Sequence, residues 1–257
     1  ESPRWLITAK NNIEAAKQVF RSLYDNEGDI VEQVNLIVNS QKSTDDAESI
    51  FSKKYGIPLS LAFFIAFFNQ FSGINAILYY ANRIFAEAGL AEQAGALGSI
   101  GLGITNFVFT LLGMFLIDRL GRKQLLYIGS VGYIVSLSIV SLCFYNDWSG
   151  MIVPISLFAF IASHAIGQGA VIWVFISEIF PNHLRSSGQA FGSSVHWVLA
   201  AIIPSLVPIL FNSIGAVTVF AIFAFMMLLQ LVWIKMYVPE TKGKSLEAVS
   251  ESLTNSN

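Results

Sequence analysis

The chain has 257 residues, of which 54% are hydrophobic and 12% are charged, and its mean hydropathy is +0.60. About a quarter of the residues of a soluble domain are charged, so this composition indicates an integral membrane protein. The net charge of −2 argues against a nucleic-acid partner, and the single cysteine, Cys143, allows neither an internal disulfide nor a cysteine-built metal site.

Residues 1–55 are polar and are predicted to form short amphipathic helices. Apolar residues between Ile13 and Leu23 recur at helical spacing, which indicates a first helix, and the segments 29–39 and 45–54 offer a second and a third. Two interpretations stay open for this region: it is a solvated helical linker, or its helices lie in the membrane interface.

The apolar stretch 56–80 is long enough to cross a bilayer, which takes roughly 20 residues. Unlike a simple anchor, it carries uncharged polar and aromatic side chains, namely Asn69, Gln70, Ser72, Asn75, Tyr79 and Tyr80. In hydrocarbon each amide needs a partner, so these side chains are expected to face other helices or a wet cavity. Amides that donate and accept, together with ring faces that cover C–H groups, suit a neutral polyhydroxylated ligand.

The spacing of the amides predicts a break in this span. Gln70 and Asn75 are five residues apart, which separates them by roughly 140° around an ideal helix axis. They cannot share a narrow face of a straight helix, and Ser72–Gly73 lies between them. We therefore expect a bend at this point, because a Ser-Gly pair can loosen the helical turn.

Five more apolar spans are predicted after the first, which is placed at 57–80. They lie at 95–117, 124–145, 151–176, 187–211 and 213–237, with only Asn212 and Ser213 around the last break. With six spans, all the Lys and Arg residues except Arg83 fall on one side of the membrane. The positive-inside rule then places that side, with both ends of the chain, in the cytoplasm.

Charged residues cluster where two spans meet the predicted cytoplasmic face. The loop 118–123 reads Asp-Arg-Leu-Gly-Arg-Lys, and Glu178 is the acid that lies within a span. A buried carboxylate needs a partner, and Arg122 or Arg185 can reach the same surface. We interpret Glu178 as part of an ion pair or gate latch, because no second intramembrane carboxylate is available for acid–base catalysis.

Three further spans carry single polar or aromatic candidates. Asn106 is a mid-span amide that either contacts a ligand or bonds a neighbouring helix. Trp173 lies inside the membrane, where it either stacks on a ligand or packs in the core. His196 is a satisfied interior histidine, a hydroxyl partner or a pH-sensitive group, and for His164 the interior role is favoured.

The first span contains a recognisable motif. Residues 69–75, with Tyr79 and Tyr80, resemble the Gln-Gln-x-Ser-Gly-x-Asn…Tyr-Tyr signature of the sugar porters of the major facilitator superfamily, although Asn69 stands at the first Gln. Further matches in the same order are the segments 1–6, 118–123, 169–185 and 239–243.

This resemblance implies the C-terminal half of a twelve-helix, all-α membrane transporter. Residues 1–55 would be the cytoplasmic linker between halves, residues 56–240 the six-helix bundle of helices seven to twelve, and residues 241–257 the cytoplasmic tail. The chain would be a fragment whose partner is the N-terminal six-helix half, in a bacterial inner membrane or a plasma membrane.

The resemblance also assigns roles to individual residues. The implied sugar ligands are Asn69, Gln70, Asn75, Asn106, Trp173 and His196, the last at the position of a family amide. Tyr79 and Tyr80 would belong to the extracellular gate. The implied cytoplasmic ion pairs, which would hold the outward-open state, involve Arg119, Arg122, Glu178, Arg185 and Glu240.

The expected function is secondary-active or facilitative transport of a hexose or pentose by alternating access. No enzyme activity, metal or cofactor is expected, and any proton coupling would run through the N-terminal half, where the family carries its proton on an Asp of the first helix. The alternatives are a non-transporting sugar sensor, an inactive transporter fragment and, with least support, a membrane enzyme.

Overall fold

The computed structural model describes residues 1–24, 26–42, 49–90, 92–148, 150–244 and 246–254. All regular structure within these ranges is helical. Contacts between Cα atoms divide the chain into two units, Glu1–Ser52 and Lys53–Asn257.

The first unit contains three short helices around a small apolar core. They are α1 (Pro3–Thr8), α2 (Ile13–Phe20) and α3 (Glu27–Lys42). The core side chains are Leu6, Ile7, Ala16, Phe20, Ile30, Val34 and Ile37. The first two predicted amphipathic helices are thus present as α2 and α3. Of the third, 45–54, residues 45–48 lie outside the described residues, and residues 49–54 form turns instead of an α-helix.

The second unit consists of long helices. They are α4 (Gly56–Phe71), α5 (Ile74–Glu87), α6 (Glu92–Leu120), α7 (Arg122–Tyr145), α8 (Ile152–His164), α9 (Ala170–Ile179), α10 (Arg185–Tyr237) and α11 (Leu246–Thr254). Ala165–Gly169 forms a π-helical segment between α8 and α9, and Lys53–Tyr55 and Asn182–Leu184 are 3-10 turns. The all-α membrane fold predicted from the sequence is confirmed.

The predicted break in the first span is confirmed. The helix stops at Phe71 and restarts at Ile74, with Gly73 in the left-handed region at φ 82°. The Ser72 hydroxyl donates to the carbonyl of Asn69 at 2.6 Å, which satisfies a backbone acceptor that the break leaves open. A second irregularity follows within α5, where Tyr80 has the non-helical angles φ −108° and ψ 15°.

Gly73 is therefore a position where alanine should be costly. Its φ is positive, and an added Cβ would lie 2.5 Å from the ring of Phe223. We expect Gly73→Ala to destabilise the fold by about 1–3 kcal/mol, the usual cost of such backbone strain. Gly103→Ala is the matched control, because a Cβ there meets nothing within 4 Å. Thermal unfolding in detergent measures both, and equal midpoints would contradict the prediction.

The helix α10 supplies the fifth and sixth predicted spans. A continuous 53-residue helix would be about 80 Å long, far more than one bilayer crossing needs. Gly215 interrupts it with φ 79° and ψ 159°, and the rings of Phe211 and Phe220 lie only 5.9 Å apart on either side. The chain therefore reverses at Gly215, a few residues beyond the predicted break at 212–213.

Close packing of glycines sets the position of the π-helical segment. A Cβ on Gly167 would lie 2.8 Å from the Cα of Gly129 on α7, so the two backbones touch without intervening side chains. α10 packs on α4 and α7, and α7 packs on α8. This arrangement brings the break at 72–73, the helix α9 and the first half of α10 together at one site.

Candidate functional site

Three amide side chains form a hydrogen-bonded row at the break between α4 and α5. The Nε2 of Gln70 donates to the Oδ1 of Asn69 at 3.0 Å, and the Nδ2 of Asn75 donates to the Oε1 of Gln70 at 2.8 Å. The break accounts for the second bond, because a straight helix would hold Gln70 and Asn75 roughly 140° apart. Asn69 and Gln70 are buried, with 2% and 1% exposure, whereas Asn75 is half-buried.

The middle amide of this row, Gln70, contacts an aromatic cluster. The Nε2 of Gln70 lies 3.2 Å from both ring nitrogens of His196 on α10. The His196 ring meets Trp173 of α9 edge-on, at a centroid distance of 5.0 Å, and it meets its neighbour Trp197 at 5.2 Å. His196 and Trp173 are half-buried, as is Asn75, so the site is partly accessible on the side of these three residues.

A hydrogen bond from a side chain of α10 holds the backbone of α9 at Trp173. The Nε2 of Gln189 on α10 donates to the carbonyl of Trp173 at 2.8 Å and so ties α9 to α10. Nothing in the sequence pointed to Gln189, because the contact joins a side chain on one helix to the backbone of another.

Asn106 is the predicted ligand that stands apart from this cluster. It lies on α6 and is half-buried. Among the described residues, no hydrogen bond joins its side chain to the amide row. Described contacts thus join Asn69, Gln70, Asn75, Trp173 and His196, and none of these contacts includes Asn106.

A cleft of about 430 Å³ lies between α5 and α10. Its lining residues are Tyr79, Tyr80, Trp197, Ala200, Ala201, Pro204 and Ser205. Trp197 belongs both to this cleft and to the ring cluster at His196, so the cleft adjoins the amide row. Tyr79 is 65% exposed and Tyr80 sits at the kink of α5, and their role as a gate stays a prediction.

An ion pair joins the start of α7 to the end of α9. The guanidinium of Arg122 donates to both carboxylate oxygens of Glu178, at 2.7 and 3.1 Å, and the hydroxyl of Thr241 donates to Glu178 at 2.7 Å. The Arg122 and Glu178 side chains are only 11% and 16% exposed. Arg122 also contacts Asp118 at 3.2 Å, a weaker pair because that carboxylate is exposed.

Glu240 contacts backbone rather than a cation. Its carboxylate accepts N–H groups from Arg122 at 3.0 Å and Lys123 at 3.1 Å, and also from Thr241 and Lys242. The first two N–H groups belong to the N-terminus of α7. An anion there accepts hydrogen bonds from N–H groups that have no partner within the helix, and it interacts favourably with the helix dipole. Gly121 makes room for it, because a Cβ there would lie 2.6 Å from the Glu240 carboxylate.

The other two predicted ion-pair residues differ from this pattern. Arg119 is exposed and lies over the ring of Phe115 at 4.1 Å, and among the described contacts it has no carboxylate partner. Arg185 is half-buried at the first position of α10. The sequence offered Arg122 or Arg185 as the partner of Glu178, and the structure shows the pair with Arg122. The contact of Thr241 and the capping role of Glu240 were not predicted.

Comparison with known proteins gives a consistent result. The model of the family described as "Sugar (and other) transporter" matches residues 1–253. The glucose transporter GlcP of Staphylococcus epidermidis is 34% identical, over 98% of this chain and 57% of its own length. The arabinose-proton symporter of Bacillus subtilis is 33% identical, over 98% of this chain and 54% of its own length.

Solved structures are similar over the same part of the chain. The proton:xylose symporter XylE bound to 6-bromo-6-deoxy-D-glucose has a TM-score of 0.82 and 28% identity, over 98% of this chain and 54% of its own. The inward-open conformation of XylE from E. coli gives a TM-score of 0.69 at the same identity. The chain spans about half the length of the relatives it matches. It belongs to the sugar transporter family of the major facilitator superfamily.

Proposed function

We propose that this chain supplies a sugar-binding half of a monosaccharide transporter that works by alternating access. The observation that carries the proposal is the amide row of Asn69, Gln70 and Asn75, whose middle member contacts the ring of His196 next to Trp173. The printed names of the relatives support the substrate class, since they include transporters of glucose and arabinose.

The chemistry of the row suits sugar hydroxyls. A carboxamide carries two N–H donors and two acceptor lone pairs, so each amide keeps positions that the row itself does not use. A hydroxyl donates and accepts at once, and Trp173 offers an apolar face for the C–H groups of a sugar ring. The resemblance adds Asn106 on α6 as a further ligand.

The remaining assignments follow from the same proposal. Residues 1–55 would link two halves, residues 56–240 would form the transmembrane bundle with both chain ends in the cytoplasm, and residues 241–257 would be the tail. The partner would be an N-terminal six-helix half.

Uptake into cells that lack their own sugar carriers, with this chain expressed together with an N-terminal six-helix half, tests the proposal. We expect uptake of at least one of D-glucose, D-xylose and L-arabinose, and we expect Trp173→Ala to reduce it at least tenfold, because the aromatic surface over the sugar is lost. Trp148→Ala is the matched control, since Trp148 is 54% exposed in the loop after α7 and should leave uptake unchanged.

Two outcomes would contradict the transport proposal. Saturable binding of these sugars without uptake, in protein that reaches the membrane, would favour a sensor. Equal losses of uptake in Trp173→Ala and Trp148→Ala would remove Trp173 from the site.

A further inference from the structure

His196 contacts both Gln70 of the amide row and Trp197, which lines the cleft, and it is the ionisable member of the cluster. We propose that His196 is a proton-binding site in this half, and that a proton on His196 and a sugar on the amide row bind cooperatively. This inference rests on the sugar-binding function proposed above. It differs from coupling through a carboxylate of another half, because the proton acts on the sugar-binding amides directly.

The contact between Gln70 and His196 depends on the charge of the imidazole. The Nε2 of Gln70 lies 3.2 Å from Nδ1 and 3.2 Å from Nε2 of the ring. A neutral imidazole presents one lone pair, which accepts from the amide N–H. A protonated imidazole presents two N–H groups, so both ring nitrogens then face a donor. The observed contact therefore fits the neutral ring alone.

Protonation of His196 cannot be accommodated by turning Gln70 by itself. The Nε2 of Gln70 also donates to Asn69 Oδ1, and its Oε1 accepts from Asn75 Nδ2. Turning the carboxamide to offer oxygen to the imidazolium would place an amide nitrogen before Asn75 and an oxygen before Asn69. Both contacts would be lost unless all three amides reorient together.

A sugar resolves this conflict. The hydrogen-bonding positions that the row loses on protonation become available to hydroxyl groups, which donate and accept as required. The imidazolium also gives the sugar a charged donor, and a hydrogen bond to a charged group is stronger than a neutral one. Proton binding thus favours sugar binding, and by linkage sugar binding favours the proton to the same extent.

The groups described around His196 indicate that the change of charge takes place on its own imidazole ring. His164 of α8 lies within electrostatic reach, but it is buried and hydrogen-bonded to the Tyr133 hydroxyl of α7 at 2.7 Å. Other elements near His196 contribute the neutral amides of α4, the indole of α9 and, in the adjoining cleft, the phenols Tyr79 and Tyr80 of α5. The charged groups at the end of α9 and the start of α7, Glu178 and Arg122, are paired with each other.

Equilibrium binding of radiolabelled D-glucose, D-xylose and L-arabinose to the purified protein tests the proposal. For the sugar that binds, we expect the Kd to be at least fivefold lower at pH 5.5 than at pH 8.0. In His196→Gln, which keeps a hydrogen-bonding side chain without a titrating group, we expect the same Kd at both values. Tyr133→Phe is the matched control, because it alters the other buried histidine contact and should keep the pH dependence.

A second readout does not depend on a variant. When sugar is added to the unsubstituted protein in weakly buffered solution near neutral pH, an indicator dye should report net proton uptake. A constant or higher Kd at pH 5.5, pH dependence that persists in His196→Gln, or its loss in Tyr133→Phe would overturn the proposal. Absence of sugar binding at every pH would instead contradict the proposed sugar-binding function.

Discussion

Replacing Gln70 with alanine is expected to lower sugar affinity about a hundredfold and to reduce uptake in proportion. Gln70 is the residue that joins Asn69, Asn75 and His196, so its loss leaves three polar groups without the partner they have in the structure. In the sugar complex, the hydroxyl groups that Gln70 would bind are also left unpaired, and each buried polar group left unpaired costs about 1–3 kcal/mol. A total near 3 kcal/mol corresponds to about two orders of magnitude in Kd.

The matched control for Gln70 is another glutamine in the membrane-spanning bundle. Gln230 is fully buried, and neither its Nε2 nor its Oε1 has a hydrogen-bond partner in the described structure. Gln230→Leu removes two buried polar atoms that form no hydrogen bond in the described structure. It should leave sugar affinity unchanged and should keep or raise the free energy of unfolding. Binding isotherms for both variants give the comparison. A Kd for Gln70→Ala within threefold of the unsubstituted protein would contradict the assignment of the amide row to sugar.

Replacing Arg122 with alanine is expected to destabilise the protein by about 2–3 kcal/mol and to abolish uptake. The substitution leaves the largely buried carboxylate of Glu178 with the Thr241 hydroxyl as its remaining described contact. Removing one partner of a buried pair costs about 3–5 kcal/mol, and we lower this figure because both side chains keep some exposure. Uptake should fail because α7 and α9 lose the contact that holds their ends together.

Two further variants distinguish the effect of the unpaired Glu178 charge from the effect of removing any arginine of this loop. Arg122→Ala combined with Glu178→Gln removes the stranded charge and should recover part of the lost stability, although not uptake. Arg119→Ala, in the same loop, should cost less than 1 kcal/mol, because that side chain is exposed and lies on Phe115. Thermal unfolding in detergent, measured beside uptake, provides both values. An equal loss of stability in Arg119→Ala and Arg122→Ala would show that the ion pair is not what holds these helices.

Local patterns in the sequence predicted the helices and the break but not the contacts between helices. The bend at Gly73 follows from two amides at a spacing that no straight helix can satisfy, together with a glycine between them. The turn at Gly215 was placed at 212–213, because hydrophobicity changes little across it. The kink at Tyr80 had no local signal, since neither proline nor glycine stands there.

Long-range contacts explain the rest of the difference. Gln70 and His196 are 126 residues apart in the sequence, and their contact depends on how α10 packs on α4. Glu240 was expected in an ion pair because a carboxylate near arginines suggests one, yet its partners are backbone N–H groups, which every residue but proline offers. Composition and spacing therefore identify candidate residues, while the tertiary packing decides what each of them touches.

The cap on α7 has a consequence for the assembly of the protein during synthesis. Glu240 lies 118 residues after Arg122, whose N–H it accepts, so the first turn of α7 is made long before its capping carboxylate leaves the ribosome. Throughout that interval the helix end must rely on water or lipid headgroups for its orphan N–H groups. Final closure of this end of the bundle is thus one of the last events in biogenesis, and a chain truncated after Tyr237 would never complete it.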